Sequence, residues 1–354
     1  FGSGGSVSAE GEVQPPKPAP KAEVKVTEPR PVVKRRPPPE VAPRKDASGA
    51  VNRLVMVGSV LGFVAIAAAV VFFLVSRGNA VPAGYVRVQA GSFVMGTPPD
   101  DPGRGDHEEQ HIVHLTHSFA IAQYEVTQQE WEKNTYKKAE AFVECGKNCP
   151  VAAVSWSEAA EYANRMSERE GVEVCYQITE IDGAKKVSWP KGYACLGYRL
   201  PTEAEWEFAA RAAGEKSLGR TVLTNLERQP LDPALAPIAW YGGNSGVDYN
   251  GGVDCASWGE GLKTCGIHPV GKKNPNPFQI YDMAGNVAEW VWDSMAPYAE
   301  KEVSDPIHRD EGELHIVRGG SWMSTARGCR FTSRDQAQDI GRFNIGIRLV
   351  KTLE

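Results

Sequence analysis

The chain has 354 residues, 42% of them hydrophobic and 23% charged, and its formal net charge is −5. That balance excludes a wholly disordered polymer, and the negative charge gives no basis for nucleic-acid binding. The averages hide three unlike parts.

Residues 1–53 hold ten of the 25 prolines and ten Lys/Arg against six Asp/Glu, with no aromatic residue after Phe1. Such a segment cannot bury enough apolar surface to offset its ordering entropy, so a disordered arm is expected. Its alternation of proline with charge favours extended, polyproline-type backbone and a semi-rigid tether. A ligand for proline-recognition modules and a contact to anionic lipid are the other readings. Phe1 stands where an initiator methionine would and no signal peptide is visible, which predicts a fragment or processed product lacking an upstream cytoplasmic domain.

Leu54–Val75 runs 22 residues without a charge, enough for a helix to cross a hydrocarbon core of roughly 30 Å. Buried core helices seldom sustain such a run after a proline-rich arm, so a single transmembrane span is expected. Lys34, Arg35, Arg36, Arg44, Lys45 and Arg53 precede it and Arg77 alone follows closely. The positive-inside rule then puts the N-terminus in the cytoplasm, with 76–83 a short linker and 84–354 a periplasmic or extracellular domain.

From Gly84 the pattern becomes globular. Tyr85–Val88 and Phe93–Gly96, separated by the turn-prone Ala90-Gly91-Ser92, predict a hairpin. His107, His111, His114 and His117 invite a zinc reading, but in a strand His111 and His117 share one face and His114 takes the other, so a rim strand is expected instead. Trp156, Ala159, Ala160, Ala163 and Met166 recur at helical spacing over Ser155–Arg169. A second helix should start at Thr202, where Glu205 completes a capping box after Pro201. The remainder is rich in Gly, Asn and Trp, which implies a loop-rich α+β domain.

All seven cysteines follow the apolar run, and six are close neighbours in sequence: Cys145 and Cys149, Cys175 and Cys195, Cys255 and Cys265. Three local disulfides suit an oxidising compartment, with Cys329 left over. A metal or redox site at Cys145 and Cys149 is the rival reading, although the spacing is not CxxC.

Six motifs then occur in order: Gly91-Ser92-Phe93-Val94-Met95-Gly96, Tyr124-Glu125-Val126-Thr127, Val154-Ser155-Trp156, the run Tyr198–Glu207, Gly285-Asn286-Val287-Ala288-Glu289-Trp290 and Arg318-Gly319-Gly320-Ser321-Trp322. Together they cover nearly all of 84–353, and in that order the domain resembles the formylglycine-generating (sulfatase-modifying factor) family. The resemblance implies a single domain of C-type-lectin-like topology. Catalytic members of that family oxidise a peptide cysteine with molecular oxygen and copper held between two cysteines, the first three residues after the RGGS serine and the second five further on.

Here the first position is Ser324, and a neutral hydroxyl cannot replace a thiolate toward Cu(I). Cys329 falls at the second by that count. Counting back from Arg330 and Arg334 indicates a shortened loop and places Cys329 elsewhere. Neither count yields two cysteines, so copper is not expected, and the expected function is non-catalytic binding of a peptide, glycan or protein ligand, as the sensor part of a larger receptor such as the membrane-anchored kinases to which relatives are fused. An oxidoreductase of the same superfamily is the alternative.

By position, the family's structural calcium would lie on the carboxylates of Asp282 and Glu289 and the carbonyls of Gly285 and Val287. Asn244 would open a second site whose completing aspartate has no counterpart that can be placed. The stretch from Trp322 to Asn344 corresponds to the family's ligand groove. There Trp322 offers an aromatic platform, beside Ser324, and Arg327, Arg334 and Arg342 offer carboxylate-binding forks.

Overall fold

The computed structural model describes residues 80–213, 232–258, 261–298, 301–309 and 314–353. The arm 1–53, the apolar run Leu54–Val75 and the first half of the linker, 76–79, therefore lie outside the described residues. Among the described residues no helix is long and apolar enough to cross a membrane.

Three helices start as the sequence dictates. In α1 (Gln128–Thr135), α2 (Trp156–Glu170) and α3 (Glu203–Ala210), the cap residues Thr127, Ser155 and Thr202 each accept from the third helical N–H, while Glu130, Glu158 and Glu205 return the bond. Each box satisfies two backbone donors that the first turn would otherwise leave open. Gly171, at φ 65°, closes α2 with the left-handed backbone that glycine adopts without Cβ strain.

Short strands carry the rest. Tyr85–Val88, Ser118–Ala122, Val350–Leu353 and Tyr198–Arg199 form an antiparallel four-stranded sheet. A second four-stranded sheet runs Arg334–Gln338, Leu314–Arg318, Ala288–Ser294, Ile345–Gly346. Gly91–Met95 pairs with His111–Leu115 and not with Tyr85–Val88, so the expected hairpin is not formed. The short link through Gln89 and Ala90 instead passes the chain from one sheet to the next. This register sets Phe93 against Val113, both buried in the core around Trp206 and Phe208. His111 is buried and His114 half-buried on opposite faces of their strand, as expected for a rim, and among the described residues no group of metal-ligating side chains comes together there.

Three apolar clusters fill the domain. One surrounds Trp206, a second gathers Trp156, Trp290 and Trp292, and the third joins Phe142, Trp322 and Ile267 to two of the disulfides. Disulfides join Cys145 to Cys149, Cys175 to Cys195 and Cys255 to Cys265, and Cys329 is free and buried. The outcome is the loop-rich α+β architecture expected.

Candidate functional site

All eight residues of α3 are buried, although three of them are glutamates. A buried carboxylate is costly unless it is paired and hydrogen-bonded, and each one here meets an arginine. Glu203 takes a two-pronged contact from Arg334, at 2.7 and 2.8 Å. Glu205 takes the same from Arg199, at 2.6 and 2.7 Å. Glu207 accepts from Arg318 at 2.5 Å and from the Gly96 amide at 2.9 Å. One residue along, the Trp206 indole donates to Glu289 at 2.6 Å, and Glu289 is gripped in turn by Arg348. Burial alone would raise Glu205, but Arg199 and His117 hold it down at about 2. The charged motifs of the sequence thus form a buried lattice that fixes the loops above α3.

The strand Leu314–Arg318 leads out of that lattice into Gly319 and Gly320, at φ 88° and 67°. A Cβ on Gly320 would stand 2.6 Å from the Gly328 carbonyl oxygen and 2.9 Å from the Cys329 sulfur, so the chain folds back there only as glycine. The loop that follows places Ser324 Oγ 2.9 Å from the Ser321 amide. The Cys329 sulfur packs against the same turn, and the Ser321 and Gly285 backbone offsets part of the cost of ionising it there. Cys329 is fully buried, and burial pushes its thiol up to about 12.

This turn forms one wall of a cleft of 240 Å³, lined among others by Gly320, Ser324, Gly328, Arg334, Arg342 and Asn344. The expected ligand residues divide here. Arg342 is exposed, lines the cleft and has no side-chain partner among the described residues. Arg334 also lines it, but its guanidinium is committed to Glu203 and to the carbonyls of His107 and Ala296. Arg327 donates to the carbonyls of Gly103 and Arg104.

Trp322 does not form an exposed platform. It is fully buried, with its ring 5.4 Å from Phe142 and 5.7 Å from Trp258, because the chain turns inward after Gly320 and the third core cluster takes up the indole. The exposed aromatic is its neighbour Phe343, 45% accessible and 5.9 Å from Trp322, beside Met323 at 38%. Sequence reasoning missed both. Phe343 was signalled by its place between Arg342 and Asn344, in a stretch too polar to need a buried phenylalanine.

The four expected calcium donors are not assembled as a free set. Glu289 spends both oxygens on Arg348 and Trp206, so a cation there would have to displace a buried guanidinium. Asp282 is buried at φ 56°; its Oδ2 accepts from Gly271 at 2.6 Å, and its Oδ1 has no partner. Burial raises Asp282 to about 6, and nearby Glu289 adds to the shift. Asn244 is occupied within its own turn, bonding Tyr241 and Ala239 at 2.9 Å.

The sulfatase-modifying factor enzyme 1-like domain family matches residues 74–353. Chaperone protein LppX of Paenibacillus barcinonensis is 30% identical over 250 residues, covering 66% of this chain and 80% of that protein. The formylglycine-generating enzyme of Mus musculus is 29% identical over 294 residues, covering 74% of this chain and 73% of the enzyme. Among solved structures, Treponema denticola variable protein 1 matches with a TM-score of 0.58 at 26% identity, over 75% of this chain and 94% of that one.

Proposed function

Since the chain belongs to the sulfatase-modifying factor enzyme 1-like family, we propose that it is a binding member of that family, one whose cleft holds a polypeptide segment and carries out no oxidation. The observation that carries this reading is Ser324, whose hydroxyl is bonded to the Ser321 amide where the resemblance expects a thiol. Cu(I) requires soft thiolate donors, and with Ser324 in place the loop offers one sulfur, the fully buried Cys329, and not two.

What remains above the turn is a recognition surface. Arg342, without a side-chain partner among the described residues, offers a planar fork for a carboxylate or a peptide carbonyl, and Phe343, next to it in the chain, offers an exposed apolar ring. The name chaperone on one relative supports a polypeptide over a glycan.

Membrane tethering by Leu54–Val75 belongs to the same proposal, supported by 22 uncharged residues that end where the family match begins and by three disulfides beyond them. A structural calcium ion on Asp282 is a further part, supported by the unpaired Oδ1. A chelator that leaves the melting temperature unchanged would remove it.

A peptide array probed with the full chain tests the binding reading. A subset of peptides should bind, and Arg342→Ala and Phe343→Ala should each weaken that binding about tenfold, with the melting temperature unchanged for Arg342→Ala and lowered by only a few degrees for Phe343→Ala, one buried charge-assisted or aromatic contact being worth about that factor. Binding to a glycan array alone would replace the peptide with a sugar, and indifference to both substitutions would remove the cleft.

A further inference from the structure

Independently of the cleft, a larger cavity of 670 Å³ opens against the third core cluster. Its walls come from the turn Val143–Cys145 and from residues 246–249, 261–264 and 267–269. Covalent and backbone bonds hold those walls in place. The Cys145–Cys149 disulfide pins the first, and Cys255–Cys265 ties the segment that carries Lys263. Val247 donates to the Thr264 carbonyl at 2.8 Å and Cys255 to the Lys263 carbonyl at 3.1 Å. A cavity fixed in this way loses little entropy when a ligand enters.

Its chemistry is unspent. Glu144, Asp248 and Lys263 line it, all are solvent-accessible, and none has a hydrogen-bond or ion-pair partner among the described residues. His268 lines the cavity with its ring stacked on Trp240 at 3.7 Å, and its Nε2 is closed off from solvent. Tyr249 spends its hydroxyl on the Ile267 carbonyl at 2.9 Å, leaving its ring and Leu262 as apolar surface.

The cavity therefore shows two carboxylates suited to a cationic donor, beside one ammonium that would repel a simple cation and needs an anion. We propose that it binds a small zwitterion, carrying a primary ammonium for Glu144 and Asp248, a carboxylate for Lys263, and a short apolar link for Tyr249 and Leu262.

Isothermal titration of the full chain at low salt with 6-aminohexanoate, hexylamine and hexanoate tests this. Saturable binding of 6-aminohexanoate is expected, weakened about tenfold by Asp248→Asn and by Lys263→Ala, the scale of one charge-assisted hydrogen bond. Hexylamine and hexanoate should be weaker by a similar factor, and Arg342→Ala in the separate cleft should change nothing. Both substitutions replace accessible side chains that bond to nothing in the fold, and circular dichroism checks that it is kept. Absence of 6-aminohexanoate binding at millimolar concentration overturns the proposal, as does binding that both substitutions leave unchanged. Hexylamine binding as tightly as 6-aminohexanoate overturns the zwitterion.

Discussion

Replacing Trp322 with alanine separates a structural residue from a recognition residue more sharply than any other change in the domain. The indole is fully buried among Phe142, Trp258 and Phe343. Its removal leaves a cavity that a cluster tied by two disulfides cannot collapse to fill. Large-to-small changes of this kind cost about 3–5 kcal/mol. Phe343 is 45% accessible, so roughly half of its transfer free energy is at stake, about 1 kcal/mol for Phe343→Ala. Urea unfolding of both variants, followed by far-ultraviolet circular dichroism, gives the two values from midpoint and slope. Peptide binding should show the reverse order, with Phe343→Ala losing affinity while its fold holds. A Trp322→Ala variant as stable as the parent would refute the packing account and return that residue to the surface.

Three further outcomes follow from buried chemistry. Glu205 is held at about 2 in the folded chain against an ordinary 4.5. A depressed carboxylate stabilises above its unfolded value and loses that contribution as pH falls from about 4.5 toward 2. Glu205→Gln should therefore cost about 3 kcal/mol at pH 7 by linkage, with the gap between variant and parent closing near pH 2; a gap independent of pH would rule out the ion pair as its source. Alkylation without reductant should add one adduct, at Cys329, since the other six cysteines are bridged. Breaking Cys175–Cys195 should lower stability by about 3 kcal/mol on the chain-entropy estimate. Three or more adducts on the unfolded, unreduced chain would contradict the pairing.

What could be read in advance was local. Thr202 with Glu205 announces a helix start because both partners of a capping box lie within four residues, and the apolar spacing over Ser155–Arg169 marks another helix just as locally. Cysteines ten or twenty residues apart find each other for the same reason. What could not be read depends on partners far along the chain. Glu203 meets Arg334 across 131 positions, and Arg318 meets Glu207 across 111. Nothing near Arg334 shows that its charge is already spent, whereas Arg342, eight residues on, keeps its own free. Trp322 looked like a platform for a related reason: the inward turn at Gly320 is set by Gly328 and Cys329 pressing from the returning strand of the loop. The hairpin failed because alternation marks two strands without saying which neighbours they take, and Tyr85–Val88 and Gly91–Met95 took different ones.

The measurement that bears most directly on the absence of oxidation compares the parent with Ser324→Cys for Cu(I) affinity and for formylglycine formation on a sulfatase-type peptide. Ser324 and Cys329 belong to one loop after Gly320, so the substitution adds a second thiol five residues before the first. The parent should bind Cu(I) no better than a Cys329→Ala control and convert no peptide, while Ser324→Cys should gain tight Cu(I) binding. Conversion of the peptide cysteine by the unmodified chain would contradict the account.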